Sequence, residues 1–194
     1  EADEMLDIGF ADDIERILRF TPPSRQTALF SATMPTAIHS MVYRHLKHPT
    51  WVRIGGEAEP VEQVRQVYYE VASRDKNAGL EELLENGDST GLDHGGAGQT
   101  LIFRRTQRGV ERLVDYLRRR GASVRGIHGR LSQAQRDAVM SAFRAGRLEL
   151  LVATNLAARG LDIPAVSHVI NYDIPSNVEE YVHRIGRTAR MGRP

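Results

Sequence analysis

From about residue 66 onward, short apolar runs alternate with amphipathic stretches, and that alternation leaves few folds open to the chain. Residues 66–72, 100–103, 124–127, 148–153 and 166–170 read as strands. Residues 78–84, 108–119 and 133–143 read as the helices that separate them. In 108–119, Val110, Leu113, Val114 and Leu117 recur at intervals of three and four, the period of one helix face. Repeated strand–helix–strand order predicts an α/β fold, a parallel sheet covered by helices on both faces. In such sheets ligands meet the loops at the carboxyl ends of the strands.

The first 60 residues follow a shorter version of the same pattern. Residues 1–10 read as the end of a strand running into a helix, on which Ile14, Ile17 and Leu18 form an apolar stripe. Thr21-Pro-Pro-Ser24 stops that helix, and 26–30 reads as a strand leading into Ser31-Ala-Thr33. Pro35 opens a helix running to about Lys47, and 51–54 reads as another short strand. Gly55-Gly-Glu-Ala-Glu-Pro60 mixes glycine, proline and acids, which marks 55–64 as a linker between a first unit, 1–54, and a second, 65–194. Residues 86–99 hold five glycines without a following Lys-Ser/Thr, so they read as a surface insertion rather than a phosphate loop.

Charge is unevenly spread. The formal net charge is +1, yet residues 1–60 carry 6 basic and 9 acidic side chains, 61–100 carry 3 and 8, and 101–194 carry 17 and 8. A polyanionic partner is expected for the basic half. No apolar run approaches the roughly 18 residues of a membrane span, and the acidic Glu1-Ala-Asp-Glu4 is not the basic start of a signal peptide. Cysteine is absent, which excludes disulfides and thiolate metal sites and fits a reducing, cytoplasmic setting. His45 and His48 lack a nearby third ligand and read as surface residues, so no metal site is expected of the protein's own side chains.

Within the basic half, Arg184, Arg187, Arg190 and Arg193 recur every third residue without an intervening acid. At helical pitch they form a slowly winding basic stripe, on a helix that Ser176 would cap with Glu179 as its capping-box partner. Arginine suits planar, bidentate phosphate contacts. Upstream, the apolar run 151–155 opens onto Leu156-Ala-Ala-Arg-Gly-Leu-Asp-Ile-Pro164. Thr154 sits at the strand's carboxyl end, where a hydroxyl can donate to phosphate. Gly160 admits close backbone approach, and Asp162 can accept from a ribose hydroxyl or orient an arginine.

Together, Ala153-Thr-Asn-Leu-Ala-Ala-Arg-Gly-Leu-Asp-Ile-Pro164 and His183-Arg-Ile-Gly-Arg-Thr-Ala-Arg190 resemble motifs V and VI of the DEAD-box RNA helicases. Glu1-Ala-Asp3 resembles the last three letters of that family's acidic box, Ser31-Ala-Thr33 its motif III, and Leu101-Ile-Phe-Arg-Arg-Thr106 occupies the place of motif IV. His128-Gly129 followed by Gln133-Ala-Gln-Arg136 resembles its Gln-x-x-Arg element. The resemblance implies a RecA-like parallel sheet preceded by a fragment of a second RecA-like domain. It implies ATP and Mg²⁺ as cofactors of the complete enzyme, single-stranded or duplex RNA as partner, and strand separation as the activity. Glu1 would position the attacking water, and Asp3 would couple the nucleotide site to motif III. Arg187 and Arg190 would be arginine fingers. Ser31, Thr33 and His183 would couple hydrolysis to closure, Asp162 would bind the nucleotide, and Gly129, Gln133, Arg136, Thr154 and Gly160 would line the RNA backbone.

The departures from the family pattern are specific. No Gly-x-x-x-x-Gly-Lys-Ser/Thr occurs in the 194 residues, and neither the first aspartate of the acidic box nor the family's adenine-reading glutamine element is present. Asn155 stands for a usual Asp, Ala189 for a usual Gly, and Arg104 and Arg105 alter motif IV. The expectation is the trailing third of one RecA-like domain joined to most of a second, inactive in ATP hydrolysis without the missing half. A non-catalytic RNA-binding or annealing module is the alternative. A DNA helicase of a related superfamily is disfavoured by the pairing of Glu1-Ala-Asp3 with Ser31-Ala-Thr33.

Overall fold

The computed structural model describes residues 2–31, 33–54, 64–86, 98–158, 163 and 166–188, without the side chains of Glu4, Asp7 and Glu179. The chain divides into two units, Glu1–Glu59 and Pro60–Pro194.

The first unit contains α1 (Ala2–Asp7), α2 (Ala11–Arg19) and α3 (Thr36–His45). The described chain is helical from Ala2, so residues 1–10 supply the expected helix, and no strand end precedes it among the described residues. Pro35 precedes α3 in extended conformation and supplies its N-cap, and Ile38 and Val42 on that helix are fully buried. Helix α2 buries nothing completely, and Ile17, expected to face inward, is 63% exposed. Residues 26–30 and 51–54 join no ladder among the described residues. A strand exists only through repeated bonds to a neighbour, and the single bond from the Ala2 amide to the Phe30 carbonyl is not a ladder. Phe30, Val52 and Ile54 are accordingly exposed.

The second unit is built on β1 (Thr100–Arg104), β2 (Val124–Ile127), β3 (Leu150–Thr154) and β4 (His168–Asn171), in the order β2-β3-β1-β4. Every pairing is parallel, with Ile102 opposite Val152 and Ile170, and Ile127 opposite Ala153. Helices α4 (Lys76–Asn86), α5 (Gln107–Arg119), α6 (Gln133–Arg144), α7 (Asn155–Ala158) and α8 (Val178–Ile185) complete it. Residues 66–72, expected as a strand, form no strand among the described residues.

Side chains alternate across a strand, and the two resulting cores lie on opposite faces of this sheet. Leu101, Phe103, Leu151 and Ala153 pack with Met140 and Phe143 of α6. Ile102, Val152 and Val124 pack with Val110, Leu113, Val114 and Leu117 of α5, the stripe read from the sequence. Each such side chain contributes roughly 1.5–3 kcal/mol of burial. Gly126 makes the α5 contact possible, because a Cβ there would lie 2.7 Å from Val110 Cγ1. Thr106 and Ser132 cap α5 and α6, the latter through a reciprocal capping box with Gln135. The sheet is therefore the expected parallel RecA-like layer with helices on both faces, and its carboxyl edge carries Gly129 and Thr154, whereas the Arg187 carbonyl is held by Val166, ahead of β4.

Candidate functional site

In the first unit, the acidic residue Asp3 is brought into direct contact with Ser31 and Thr33. Asp3 is 4% exposed. Its Oδ2 accepts from the Thr33 hydroxyl at 2.6 Å and from the Thr33 amide at 2.9 Å. The Asp3 amide donates to Ser31 Oγ at 3.2 Å, and the Ala2 amide donates to the Phe30 carbonyl at 3.0 Å. A buried carboxylate requires such donors. Any displacement of α1 thus reaches Thr33 through two charge-assisted bonds. Glu1 lies outside the described residues.

In the second unit, β2 and β3 deliver Gly129 and Thr154 from neighbouring strand ends. Thr154 is buried, and its hydroxyl accepts from the Ala157 amide at 3.4 Å, capping α7. That hydroxyl is tied to the loop backbone rather than presented openly. Gly129 is exposed and leaves room for Gln107, whose Nε2 would lie 2.9 Å from a Cβ there. Gln133, the first residue of α6, donates to Asp137 Oδ1 at 2.8 Å, and Arg136 follows one turn later with its Nε buried and unpartnered. His128 is buried, accepts from the Arg130 amide at 3.4 Å, and has Glu111 Oε1 3.7 Å from its Nε2. Gly160 and Asp162 lie outside the described residues.

The arginine series differs most from the sequence reading. Helix α8 ends at Ile185 with Gly186 as C-cap, so Arg184 alone of the four lies within it. Arg187 sits in the turn that follows, and Arg190 and Arg193 lie outside the described residues. The cap is also displaced by one position. Asn177 Oδ1 accepts from the Glu180 amide at 2.7 Å, while the Ser176 amide and hydroxyl both donate to the Glu180 carboxylate at 2.9 and 2.6 Å. Asn177 and Glu180 thus replace Ser176 and Glu179 as the capping pair. Arg184, expected on a basic stripe suited to phosphate contacts, is only 3% exposed. It donates to Asn171 Oδ1 at 2.8 Å, to the Asp173 carbonyl at 3.0 Å and to Glu180 Oε1. Burial pushes its guanidinium below its ordinary pKa, with Glu180 and Asp173 opposing the shift. His183 and Arg187 are half-buried, and the Arg187 backbone is held on both sides, its amide by the Arg184 carbonyl and its own carbonyl by the Val166 amide.

Asp173, which the sequence reading passed over, joins three elements of the second unit. Its carboxylate takes the Arg105 amide at 2.8 Å and forms ion pairs with Arg104 at 3.0 Å and Lys76 at 3.8 Å. Lys76 also donates to the Tyr172 carbonyl at 2.6 Å, and both Lys76 and Arg104 lie over the Tyr172 ring. The Glu180/Arg184 spacing of four was the legible hint of an inward pair. Nothing local marks the Asp173 carboxylate, whose Arg105, Arg104 and Lys76 partners are 68 and more residues away.

The parallel sheet in the order β2-β3-β1-β4, covered by helices on both faces, is that of a RecA-like domain. The description Helicase conserved C-terminal domain matches residues 75–192, and DEAD/DEAH box helicase matches residues 1–41. The chain belongs to the DEAD-box RNA helicase family. It is 46% identical over 193 residues to the DEAD-box ATP-dependent RNA helicase CshA of Geobacillus kaustophilus, covering all of this chain and 40% of that protein. It is likewise 46% identical to CshA of Bacillus subtilis, covering 37% of it. Among solved structures, S. cerevisiae Dbp5 bound to RNA and ADP BeF3 superposes with a TM-score of 0.83 at 35% identity, over all of this chain and 49% of that one. A DEAD box protein from Methanococcus jannaschii gives 0.61 at 36% identity, over all of this chain and 50% of that one. The chain thus spans about two fifths of the length of these curated relatives.

Proposed function

We propose that this chain is the carboxyl-side part of an ATP-dependent RNA helicase, coupling ATP binding and hydrolysis to RNA strand separation. The observation that carries the reading is the closure of Asp3 on Ser31 and Thr33, in a chain 46% identical to DEAD-box ATP-dependent RNA helicases. In this reading residues 1–54 belong to the first RecA-like domain, 55–64 link, and 65–194 belong to the second. Glu1 positions the attacking water, and Asp3 passes the state of the nucleotide to Ser31 and Thr33. Arg187 and Arg190 stabilise charge on the transferred phosphoryl group, a reaction catalysed mainly by positioning and cationic stabilisation. His183 supports that coupling, and Asp162 binds the nucleotide. Gly129, Gln133, Arg136, Thr154 and Gly160 follow the RNA backbone, giving affinity without sequence reading.

ATP use is implied by the family. Mg²⁺ finds no set of three His, Asp or Glu ligands among the described residues, and the Asp3 oxygen that takes both Thr33 donors is already engaged. No step is assigned to the metal. No helix among the described residues is long and apolar enough to cross a membrane, and a cysteine-free chain suits the cytoplasm. The test is a chimera in which this chain replaces the matching region of the Bacillus subtilis relative. RNA-stimulated ATP hydrolysis and separation of a short RNA duplex are expected. RNA binding without hydrolysis in a folded chimera would replace the proposal with an annealing module.

A further inference from the structure

The four-arginine series contains one member that the sequence grouped with the others and the fold sets apart. Arg184 is 3% exposed, and its terminal nitrogens are taken by Asn171 Oδ1, the Asp173 carbonyl and Glu180. Its guanidinium also lies 4.8 Å from the centroid of Phe103. These partners come from the end of β4, the segment after it, α8 itself and β1. A side chain so enclosed has no path to a phosphate.

We propose that Arg184 is a positioning residue that locks the carboxyl end of α8 onto the end of β4 and thereby sets the place of Arg187, and that it is not a phosphate ligand. The inference deepens the helicase reading and rests on it for the role of Arg187. The chain of contact is short. Arg184 is fixed by three acceptors. Its carbonyl receives the Arg187 amide at 3.2 Å, and Ile185 receives both the amide and the hydroxyl of Thr188 at 2.9 Å. The Arg187 carbonyl in turn receives the Val166 amide at 3.1 Å, and Val166 belongs to the α6-side core. The backbone that carries Arg187 is therefore clamped on one side by a buried guanidinium and on the other by the core. Positioning at this level matters because a displacement of ~1 Å can cost about 10²-fold in rate. Arginine suits this place better than lysine, because its rigid planar fork is pre-organised for acceptors that converge from separate elements, whereas an ammonium is a compact, strongly hydrated point charge. The arrangement leaves Arg184 Nε buried without a partner, a cost consistent with a site retained for geometry.

The test has two arms. In this chain alone, amide hydrogen exchange is read at Val166, Arg187 and Val152. Arg184→Met and Glu180→Gln should both accelerate exchange at Val166 and Arg187 while Val152, in the centre of β3, keeps its protection. Arg187→Ala should leave Val166 unchanged, since that bond uses only backbone. Uniform acceleration through the sheet, or a silent Glu180→Gln, would overturn the proposal. This arm needs neither nucleotide nor RNA, so its failure is distinct from failure of the helicase reading. In the chimera, Arg184→Met should lower turnover by about 10²-fold, with the KM for ATP and the RNA affinity little changed. Arg184→Lys should fail to restore turnover. A KM or RNA affinity that worsens as much as turnover would make Arg184 a ligand, and recovery by lysine would show that charge alone suffices. Unchanged turnover in a folded variant would reduce it to a purely structural part.

Discussion

Replacing Thr33 by valine keeps the branched shape of the side chain but deletes the hydroxyl that donates to Asp3 Oδ2 at 2.6 Å. The Thr33 amide still donates at 2.9 Å, so the carboxylate loses one of these two donors rather than both. Hydrogen bonds to charged groups contribute about 1.5–3 kcal/mol, and with Asp3 only 4% exposed, water does not readily replace the missing donor. Thr33→Val should therefore destabilise the first unit by about 1.5–3 kcal/mol. Ser31→Ala, which removes a neutral acceptor at 3.2 Å, should cost about 0.5–1.5 kcal/mol. The assay is urea unfolding followed by Trp51, the protein's one tryptophan, whose ring lies 5.8 Å from that of His39 on α3. Residues in contact couple, and distant ones add within about 0.5 kcal/mol. If Asp3→Ala and Thr33→Val proved additive in a double-mutant cycle, the carboxylate–hydroxyl link would carry no energy and the coupling argument would fail.

Three further outcomes follow from the second unit. Gly126→Ala places a Cβ 2.7 Å from Val110 Cγ1 and 3.2 Å from Val114 Cγ2, so overpacking should cost about 1–3 kcal/mol in thermal or urea unfolding. At Glu180, burial pushes the carboxyl pKa up, but the Ser176 hydroxyl and amide and the Arg184 guanidinium outweigh it and hold the group below the usual carboxylate range. A group lowered in this way stabilises the fold above its unfolded pKa and loses that contribution as pH falls through the folded value. Amide protection in α8 should therefore decline on acidification below the ordinary carboxylate range, and Glu180→Gln should flatten the decline. Binding of the chain to single-stranded RNA should weaken steeply between about 50 and 200 mM salt, and a salt-independent isotherm would exclude the basic half as the contact surface.

The sheet and its covering helices were legible because their determinants are local. Val110, Leu113, Val114 and Leu117 fix the inner face of α5 by spacing alone, and 124–127 forms β2 with both ends where the apolar run places them. Residues 26–30, 51–54 and 66–72 carry equally good strand composition, yet none forms a strand among the described residues. Pairing depends on a partner that composition does not contain. The site was legible where sequence neighbours act together, as Ser31 and Thr33 do in holding Asp3. It was misread where two adjacent residues have the same chemistry: Ser176 and Asn177 can both cap a helix, and only the fold selects Asn177. The period-three arginines suggested one continuous face, whereas α8 ends at Ile185 and turns Arg184 inward. Asp173 escaped notice because its Lys76 and Arg104 partners are remote in sequence.

The central claim is that Arg187 acts on the transition state of phosphoryl transfer, and the direct measurement is RNA-stimulated ATP turnover of the chimera with Arg187 replaced by alanine, taken alongside RNA affinity. The account predicts a fall in turnover of about 10³-fold or more with RNA affinity nearly unchanged. Equal losses in turnover and RNA affinity, or turnover that survives the substitution, would contradict it.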